Sequence, residues 1–300
     1  MRRRTLLVLA AVLIAVPTAT AQAVNFSPWG GVTKIDEVPG NHPDLNTMAL
    51  DGCPIQSPDG RDLYMASNRG GGQGGLDIWV AHRDDPDGAY GAPENLGPAI
   101  NSTANDFCPT PVRGGGLFFV SNRATPGACG MGDIFFTRRN PGHGWAAPQR
   151  LACAPAGPNG ELDEQGPSLA GDRLYFSRSA PGVQGDIYTA RRDDDGGFGP
   201  ADPVAELNHP TANDIQPNVR KDGREVVFSS NRNTATGQDI YTATREPGGG
   251  WSEPENLGAP VNTAAAETRP SLSWHAEQLL FGRAPGPEGM SDIYVATRER

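Results

Sequence analysis

Five copies of one motif, spaced at a nearly constant interval, restrict what this 300-residue chain can fold into more than any other feature. Each copy contains an Asp-Ile pair followed by an aromatic residue, and successive pairs lie 56, 53, 53 and 53 residues apart. The aspartates are Asp77, Asp133, Asp186, Asp239 and Asp292. A repeat of this length is typical of solenoids and propellers, in which each copy is one supersecondary unit. We therefore expect one repeat array.

Each copy contains four strand-like pieces separated by turn residues. A short piece follows an acid-x-x-Pro step, an aromatic and β-branched piece ends near Ser-Asn-Arg, the Asp-Ile piece is third and a proline-containing piece such as 251–257 is fourth. Proline in the fourth piece fits an edge strand, where its missing N–H costs no ladder hydrogen bond. Four antiparallel strands per copy are the blade of a β-propeller. The copies begin near residues 51, 106, 164, 214 and 267.

The two ends of the repeat array complement each other. The fifth copy reaches Arg300 without a fourth piece, whereas residues 26–30 resemble the start of a fourth piece at 250–252. We expect residues 26–50 to complete the fifth blade, which would remove an exposed sheet edge. The prediction is an all-β, five-bladed propeller of four-stranded antiparallel blades over residues 22–300, present as a monomer.

The combined motif resembles the WD40-like (PD40) repeats of the TolB propeller family. The resemblance rests on acid-x-x-Pro, Ser-Pro-Asp-Gly, Ser-Asn-Arg, the glycines before Asp-Ile-aromatic and the Trp-x-x-Pro-x-Asn-Leu-Gly tail, and it covers nearly all of residues 22–300. It implies a propeller that binds partners in the cell envelope. TolB resembles a six-bladed ring with a separate N-terminal domain, and this chain has neither the sixth copy nor room for that domain. A role in the Tol–Pal system is therefore not carried over.

The first residues predict export. Three arginines at 2–4 precede an apolar run over 6–16 and the small residues Ala19-Thr20-Ala21, which is the pattern of a cleaved secretory signal. We predict cleavage after Ala21, with Ala23 as the alternative. The run is too short for a permanent membrane span, and no cysteine at the junction would accept a lipid. The expected location is periplasmic or extracellular.

The net charge argues against two classes of partner. It is −10 for the whole chain and becomes −13 once the three signal arginines are removed. An acidic surface of this kind does not favour nucleic acid or an anionic membrane, and it keeps the protein soluble.

One acid and one arginine recur in every copy. The arginine lies four residues beyond the middle of the second strand in three copies, which begin with Asp, and two residues beyond it in the other two, which begin with Glu. We hypothesise one acid–arginine pair per blade, in which the longer Glu reaches an arginine set one step back on the same sheet face. The pairs are Asp51–Arg69, Asp106–Arg123, Glu164–Arg178, Asp214–Arg232 and Glu267–Arg283. A position repeated in every blade favours a structural role over a catalytic one.

Four cysteines depart from the repeat. Cys53 and Cys108 occupy the same position in adjacent copies, whereas Cys129 lies in a Gly-rich loop and Cys153 follows the fourth strand of that copy. Export permits disulfides, and we favour Cys129–Cys153 together with Cys53–Cys108 among three connectivities. A zinc site is the alternative, although no C-x-x-C spacing is present.

Two histidines and two acidic turns remain as candidate ligand sites. His42 and His209 both occur as Asn-His-Pro in loops that enter a blade, where they are turn residues or contact a ligand at the channel mouth. The acidic turns at 84–88 and 193–196 lack the spacing of a calcium loop, which favours solvated hairpin turns. We expect no metal and no cofactor.

Three functions fit these observations. The first is a non-catalytic module that binds a protein, peptide or glycan of the cell envelope. The second is a glycoside hydrolase or other carbohydrate-active enzyme, since some five-bladed propellers are glycosidases, but these need carboxylates that converge on the channel. The inner strands carry no carboxylate beyond the repeated first acid, which favours the binding module. The third is a module that serves a larger assembly through its fold alone.

Overall fold

The computed structural model describes residues 26–232 and 237–300. Within them the chain forms five antiparallel sheets arranged as a five-bladed propeller, with two short 3-10 turns at Ile35–Glu37 and Pro43–Leu45. The predicted signal peptide and its cleavage site lie outside the described residues. No helix in the described ranges has the length and apolar character needed to cross a bilayer.

The strands follow the order predicted from the repeats. The segment before the first copy forms β1 (Gly30–Lys34). The first blade consists of β2 (Asp51–Gln56), β3 (Asp62–Ser67), β4 (Asp77–His82) and β5 (Glu94–Asn95). The second consists of β6 (Asp106–Val112), β7 (Gly116–Ser121), β8 (Asp133–Asn140), β9 (Gly144–Trp145) and β10 (Gln149–Arg150). The third consists of β11 (Asp163–Ala170), β12 (Arg173–Ala180), β13 (Val183–Arg192) and β14 (Phe198–Pro203).

The last two blades repeat the same pattern. The fourth consists of β15 (Asp214–Val219), β16 (Glu225–Ser230), β17 (Asp239–Thr244) and β18 (Glu255–Asn256). The fifth consists of β19 (Ala266–Leu272), β20 (Gln278–Ala284) and β21 (Asp292–Thr297), with β1 as its outer strand. Most outer strands are only two residues long, because prolines flank them and leave few N–H groups for a ladder.

The ring is closed within the fifth blade. Strand β1 pairs antiparallel with β21, with Gly30 opposite Thr297 and Thr33 opposite Val295. The backbone N–H of Ser27 also donates to the carbonyl of Glu299 at 2.8 Å. The two ends of the described chain are therefore neighbours in one sheet, and the last blade has no unpaired outer edge on β21.

Alternation along the second strand of each blade builds the core. The residue at the middle of this strand is fully buried in every blade, and its side chain packs on the aromatic residue of the third strand. Four such pairs are stacked, with ring centroids between 5.8 and 6.2 Å apart. They are Phe119–Phe135, Phe176–Tyr188, Phe228–Tyr241 and Phe281–Tyr294. The first blade uses Met65 and Trp79, which pair directly across β3 and β4.

Each inner strand contains a bulge at the residue before its proline. The register shifts there in all five blades, and the residue adopts a positive φ between 47° and 58°. These residues are Cys53, Cys108, Gly166, Gln216 and Arg269. Only glycine adopts this conformation without steric cost, so the other four are held there by the surrounding sheet. The bulges bring four side chains of different chemistry to the propeller axis, those of Cys53, Cys108, Gln216 and Arg269.

Links between neighbouring inner strands run around the axis. Blades 1 and 2 are joined by the Cys53–Cys108 disulfide, and Thr110 Oγ1 donates to the carbonyl of Pro167 in blade 3. The N–H of Val219 donates to Ser168 Oγ at 3.0 Å, and the N–H of Leu272 donates to Asn218 Oδ1 at 3.0 Å. Ser271 Oγ donates to the carbonyl of Pro54 at 2.5 Å, which returns to blade 1. The central cavity lined by these strands measures only about 30 Å³, about the volume of one water.

The structure pairs all four cysteines. Cys53 and Cys108 lie 4.9 Å apart at Cα, and Cys129 and Cys153 lie 5.4 Å apart. The bulge brings Cys53 and Cys108 within disulfide range, although they belong to different blades. With their sulfurs in disulfides, none of the four is free to hold zinc.

Candidate functional site

The repeated acid and arginine meet in every blade. The shortest distance between carboxylate oxygen and guanidinium nitrogen is 2.5 Å for Asp51–Arg69, 2.6 Å for Asp106–Arg123, 2.8 Å for Glu164–Arg178, 2.5 Å for Asp214–Arg232 and 2.8 Å for Glu267–Arg283. All five carboxylates are fully buried. A buried charge pair repays its desolvation only when its remaining hydrogen bonds are also satisfied. Glu164 departs from this condition, because its Oε2 is buried without a hydrogen-bond partner.

Each arginine holds two further groups. Its guanidinium donates to a backbone carbonyl of the loop that enters the blade, for example from Arg232 Nη2 to Leu207 O at 2.6 Å. It also lies over the aromatic residue of the third strand, as Arg283 does over Tyr294 at 4.3 Å from the ring centroid. We call the acid, the arginine and this aromatic residue the fastener of a blade. Its contacts tie the inner strand, the entering loop and the third strand together.

The strand register explains the alternation of Asp and Glu. Glu164 lies directly opposite Arg178, and Glu267 lies directly opposite Arg283. In the other blades the acid lies opposite a serine, such as Ser230, and the arginine follows two residues later. That serine accepts hydrogen bonds from the arginine, at 3.0 Å from Arg232 Nε in blade 4. The displaced arginine turns back over the strand end and meets the shorter acid.

One fastener carboxyl has a perturbed acidity. Burial raises the pKa of Glu164 to about 7, although hydrogen bonds from Arg178 and from the N–H of Gly160 act in the opposite direction. A value near neutrality is what a general acid needs. The side chain nevertheless has no exposed surface, and its Oε1 accepts from both Arg178 and Gly160.

The two histidines do not occupy equivalent positions. The N–H of His209 donates to Asp214 Oδ2 at 2.6 Å, a contact that Thr47 makes to Asp51 in blade 1. His42 lies five residues before Thr47. Its ring Nδ1 accepts a hydrogen bond from the backbone N–H of Asp44, and its backbone N–H donates to the carbonyl of Tyr90. Only His209 therefore lies beside the start of an inner strand. In the described part of the chain, no three His, Cys, Asp or Glu side chains are grouped to hold a metal ion.

A second repeated residue, which the sequence interpretation missed, joins successive blades. One asparagine in each connecting loop binds both backbone groups of the Asp-Ile isoleucine of the preceding blade, with N–H to Oδ1 distances of 2.7–2.8 Å. The pairs are Asn46–Ile293, Asn101–Ile78, Asn159–Ile134, Asn208–Ile187 and Asn262–Ile240. The signal was present, since the asparagine lies five residues before the acid in four copies and six before it in the fourth.

Removing one of these asparagines is expected to destabilise the ring. In Asn159→Ala, the N–H and carbonyl of Ile134 lose their side-chain partner inside the protein, which costs about 1–3 kcal/mol in the free energy of unfolding. Urea unfolding followed by tryptophan fluorescence measures this loss. Gln149→Ala is the control, because its exposed amide bonds only a neighbouring carbonyl. Equal stability of the two variants would contradict this stabilising role of Asn159.

Two clefts lie on the face that carries the hairpin turns. Three turns from different blades meet there at the axis, since Trp274 of blade 5 contacts Arg113 of blade 2 and Lys221 of blade 4. The guanidinium carbon of Arg113 lies 4.3 Å from the Trp274 ring centroid, and Lys221 Nζ lies 5.9 Å from it. Blades 2 and 5 are not neighbours, so this contact crosses the mouth of the channel. We call Trp274, Arg113 and Lys221 the axial turn cluster.

Lys221 is unusual within this cluster. Its Nζ is buried and has no hydrogen-bond partner among the described residues. Burial lowers its pKa to about 8. It lines a cavity of about 350 Å³ together with Trp274, and Trp274 also borders a second cavity of about 570 Å³. Both volumes fall in the range of small-ligand pockets.

The sequence interpretation missed the axial turn cluster for a physical reason. Arg113, Lys221 and Trp274 each lie four residues after the inner-strand proline, but the residue type at this position changes from copy to copy, and the three are separated by more than 50 residues along the chain. Only the closure of the ring brings their turns together. A tryptophan and basic residues in turns that otherwise carry Pro, Asp and Gly were the available signal.

Comparisons with known proteins extend no further than the fold. No protein-family model matches the sequence. No curated protein matches it either. Among solved structures, a thermostable family-43 glycoside hydrolase is similar with a TM-score of 0.54 and 12% identity, over 88% of this chain and 91% of that one.

Two further structures are similar. An endo-arabinase from Bacteroides thetaiotaomicron has a TM-score of 0.52 and 15% identity, over 92% of this chain and 98% of that one. A TolB-like protein from Agrobacterium tumefaciens, described as a putative TolB, has a TM-score of 0.48 and 16% identity, over 83% of each chain. At these identities the similarity to the two hydrolases shows a shared fold alone.

Proposed function

We propose that the protein is an exported, non-catalytic binding module of the cell envelope, a rigid disc that presents its loops and turns to a protein, peptide or glycan. The observation that carries this proposal is the state of the five repeated carboxylates. Each is fully buried and held by the arginine of its own blade, so none is free to act on a substrate at the axis. A glycosidase needs two carboxyl groups that reach the glycosidic bond.

Two observations support export and rigidity. Structural disulfides persist in oxidising compartments, so the presence of two of them supports the export that the first residues predict. The links around the axis join all five inner strands, so the loops are held on a stiff scaffold. Resemblance to the repeats of the TolB family supports an envelope role, without specifying the partner.

A glycoside hydrolase is the second candidate function. The family-43 hydrolase and the endo-arabinase share the propeller architecture, and the pKa of Glu164 lies near the value of a general acid. Against this candidate, Glu164 is sealed from solvent, and the central cavity of about 30 Å³ is too small for a sugar ring. The binding module therefore remains the better proposal.

An activity assay and a capture experiment together test the proposal. The purified exported protein is incubated with a panel of polysaccharides that includes arabinan, with an active family-43 hydrolase as the positive control. We expect no release of reducing sugar, and we expect capture of an envelope component from an extract. Hydrolysis that is lost in folded Glu164→Gln would overturn the proposal in favour of the enzyme.

A further inference from the structure

The axis of this acidic protein is lined by positive charge. The chain has 35 acidic and 25 basic residues, yet Arg113, Lys221 and Arg269 form no ion pair with a carboxylate of the described residues. Arg269 occupies the bulge of the fifth inner strand, beside Gly52. By contrast, Arg220 next to Lys221 is paired with both Asp222 and Glu225. Other arginines of the described residues also form no ion pair, but Lys221 is distinguished by a buried Nζ that has no hydrogen-bond partner.

The destabilisation caused by a buried lysine without a partner indicates that this lysine has a functional role. Taking an ammonium group out of water without a partner is unfavourable, and a neutral side chain at the position of Lys221 would avoid that cost. The indole of Trp274 beside it is half-buried and borders both cavities of the turn face. A cation without a counter-charge next to an open aromatic surface is suited to a ligand that brings both an anion and an apolar face.

We infer that the cleft at the axial turn cluster binds a saccharide that carries a carboxylate, with the sugar ring packed on Trp274 and the carboxylate paired with Lys221. This inference rests on the proposed binding function and specifies its ligand. The 350 Å³ cavity accommodates one or two sugar rings, and Phe26 adds a second aromatic wall. Asp222 and Glu277 beside the cleft are paired with Arg220 and Arg300, which leaves Lys221 as the cation of the cleft that is free to meet a ligand carboxylate.

The walls of the cleft favour a sugar over a peptide. An extended peptide is bound chiefly through main-chain hydrogen bonds to a free strand edge. The 350 Å³ cavity is instead bounded by the turns at 220–222 and 273–275, with Phe26 and Arg300. Planar polar side chains there, such as the Arg220–Asp222 pair and His275, can bind ring hydroxyls.

Calorimetric titrations with three matched probes test the inference. The purified exported protein is titrated with trigalacturonate, with galactotriose, which has the same rings without carboxylates, and with a triglutamate peptide. We expect trigalacturonate to bind and the other two to bind at least about tenfold more weakly, since a hydrogen-bonded charge pair contributes about 1.5–3 kcal/mol.

Substitutions locate the site. Lys221→Gln and Trp274→Ala are expected to weaken trigalacturonate binding about tenfold or more. Arg224→Gln is the matched control, since it removes one cation from the same turn but does not line the cavity, and it should leave the affinity unchanged. Lys221→Met should also raise the melting temperature, because it removes a buried charge without a partner, whereas a lysine needed only for stability would give the opposite result.

The pH dependence provides an independent readout. Because the pKa of Lys221 lies at about 8, affinity should be constant at more than about one pH unit below that value and fall as the pH rises through it, and Lys221→Gln should abolish the fall. The other charged groups that line the cavity are Arg220, Asp222, His275 and Arg300, with Arg113 across the channel. Repeating the titration in His275→Gln separates any contribution from that imidazole.

The outcomes separate the two proposals. Equal binding of galactotriose, or unchanged affinity in Lys221→Gln, would overturn the inference, as would tighter binding of the triglutamate peptide. If an envelope component is captured by the wild type and by Lys221→Gln alike, the binding function stands and the site lies elsewhere. If polysaccharide is cleaved, the proposed function itself fails.

Discussion

Replacing Asp214 with alanine is expected to lower the free energy of unfolding by about 3–5 kcal/mol, the cost of leaving one member of a buried ion pair without its partner. The Asp214–Arg232 pair is the most enclosed of the five, with side chains 0% and 5% exposed. Arg232 would keep its contacts with Leu207 and Ser230 but would retain a buried positive charge. Chemical unfolding at neutral pH measures the loss.

An exposed pair provides the matched control for this prediction. Asp172 and Arg191 lie 3.1 Å apart, with side chains 57% and 74% exposed. Asp172→Ala should therefore cost no more than about 1 kcal/mol. If the two alanine variants lose similar stability, the fastener is not what holds the blade. A double variant, Asp214→Ala with Arg232→Met, should recover part of the loss, because it removes the stranded charge.

Removing the Cys53–Cys108 disulfide is expected to have a comparably large effect. This disulfide closes a loop of 55 residues, and the chain-entropy relation assigns it about 4 kcal/mol at 25 °C. The Cys129–Cys153 disulfide closes only 24 residues and is assigned about 3.5 kcal/mol. The double serine variants, Cys53→Ser with Cys108→Ser and Cys129→Ser with Cys153→Ser, test both values in the same unfolding assay.

The location of Cys53–Cys108 adds a second expectation. It is the link between blades 1 and 2 in the set of contacts that surrounds the axis, whereas Cys129–Cys153 joins segments at the periphery of blade 2. The first double variant should therefore also show faster amide hydrogen exchange along β2 and β6. A larger loss of stability in the peripheral variant would contradict this assignment.

The parts of the structure that the sequence did predict recur in every copy. The Asp-Ile spacing predicted the number of blades, and the acid-x-x-Pro step located the inner strands. The arginine lies two residues after Phe176 but four residues after Phe228. This difference predicted that the first arginine pairs with a Glu and the second with an Asp. Recurrence makes such features visible, because five independent examples support one interpretation.

Features whose residue type or position changes from copy to copy could not be predicted in the same way. The residues at the five bulges all adopt positive φ, yet they are Cys, Cys, Gly, Gln and Arg, so side-chain identity does not indicate the backbone conformation. His42 and His209 share the tripeptide Asn-His-Pro but lie at different points of the loop. The asparagine that binds the preceding isoleucine is Asn208, directly before His209, whereas it is Asn46, four residues after His42. The contact between Arg113 and Trp274 requires the complete ring and has no local signature.

The pairing of β1 with β21 also governs when the protein can become folded. These strands are separated by more than 250 residues, and each belongs to the same blade. A chain that crosses a membrane from its N-terminus emerges with β1 first and β21 last. The first four blades can form as they appear, but β1 must wait for almost the entire chain to follow. For a chain exported as proposed, completion of the ring is therefore coupled to the end of translocation, and β1 stays unpaired until then.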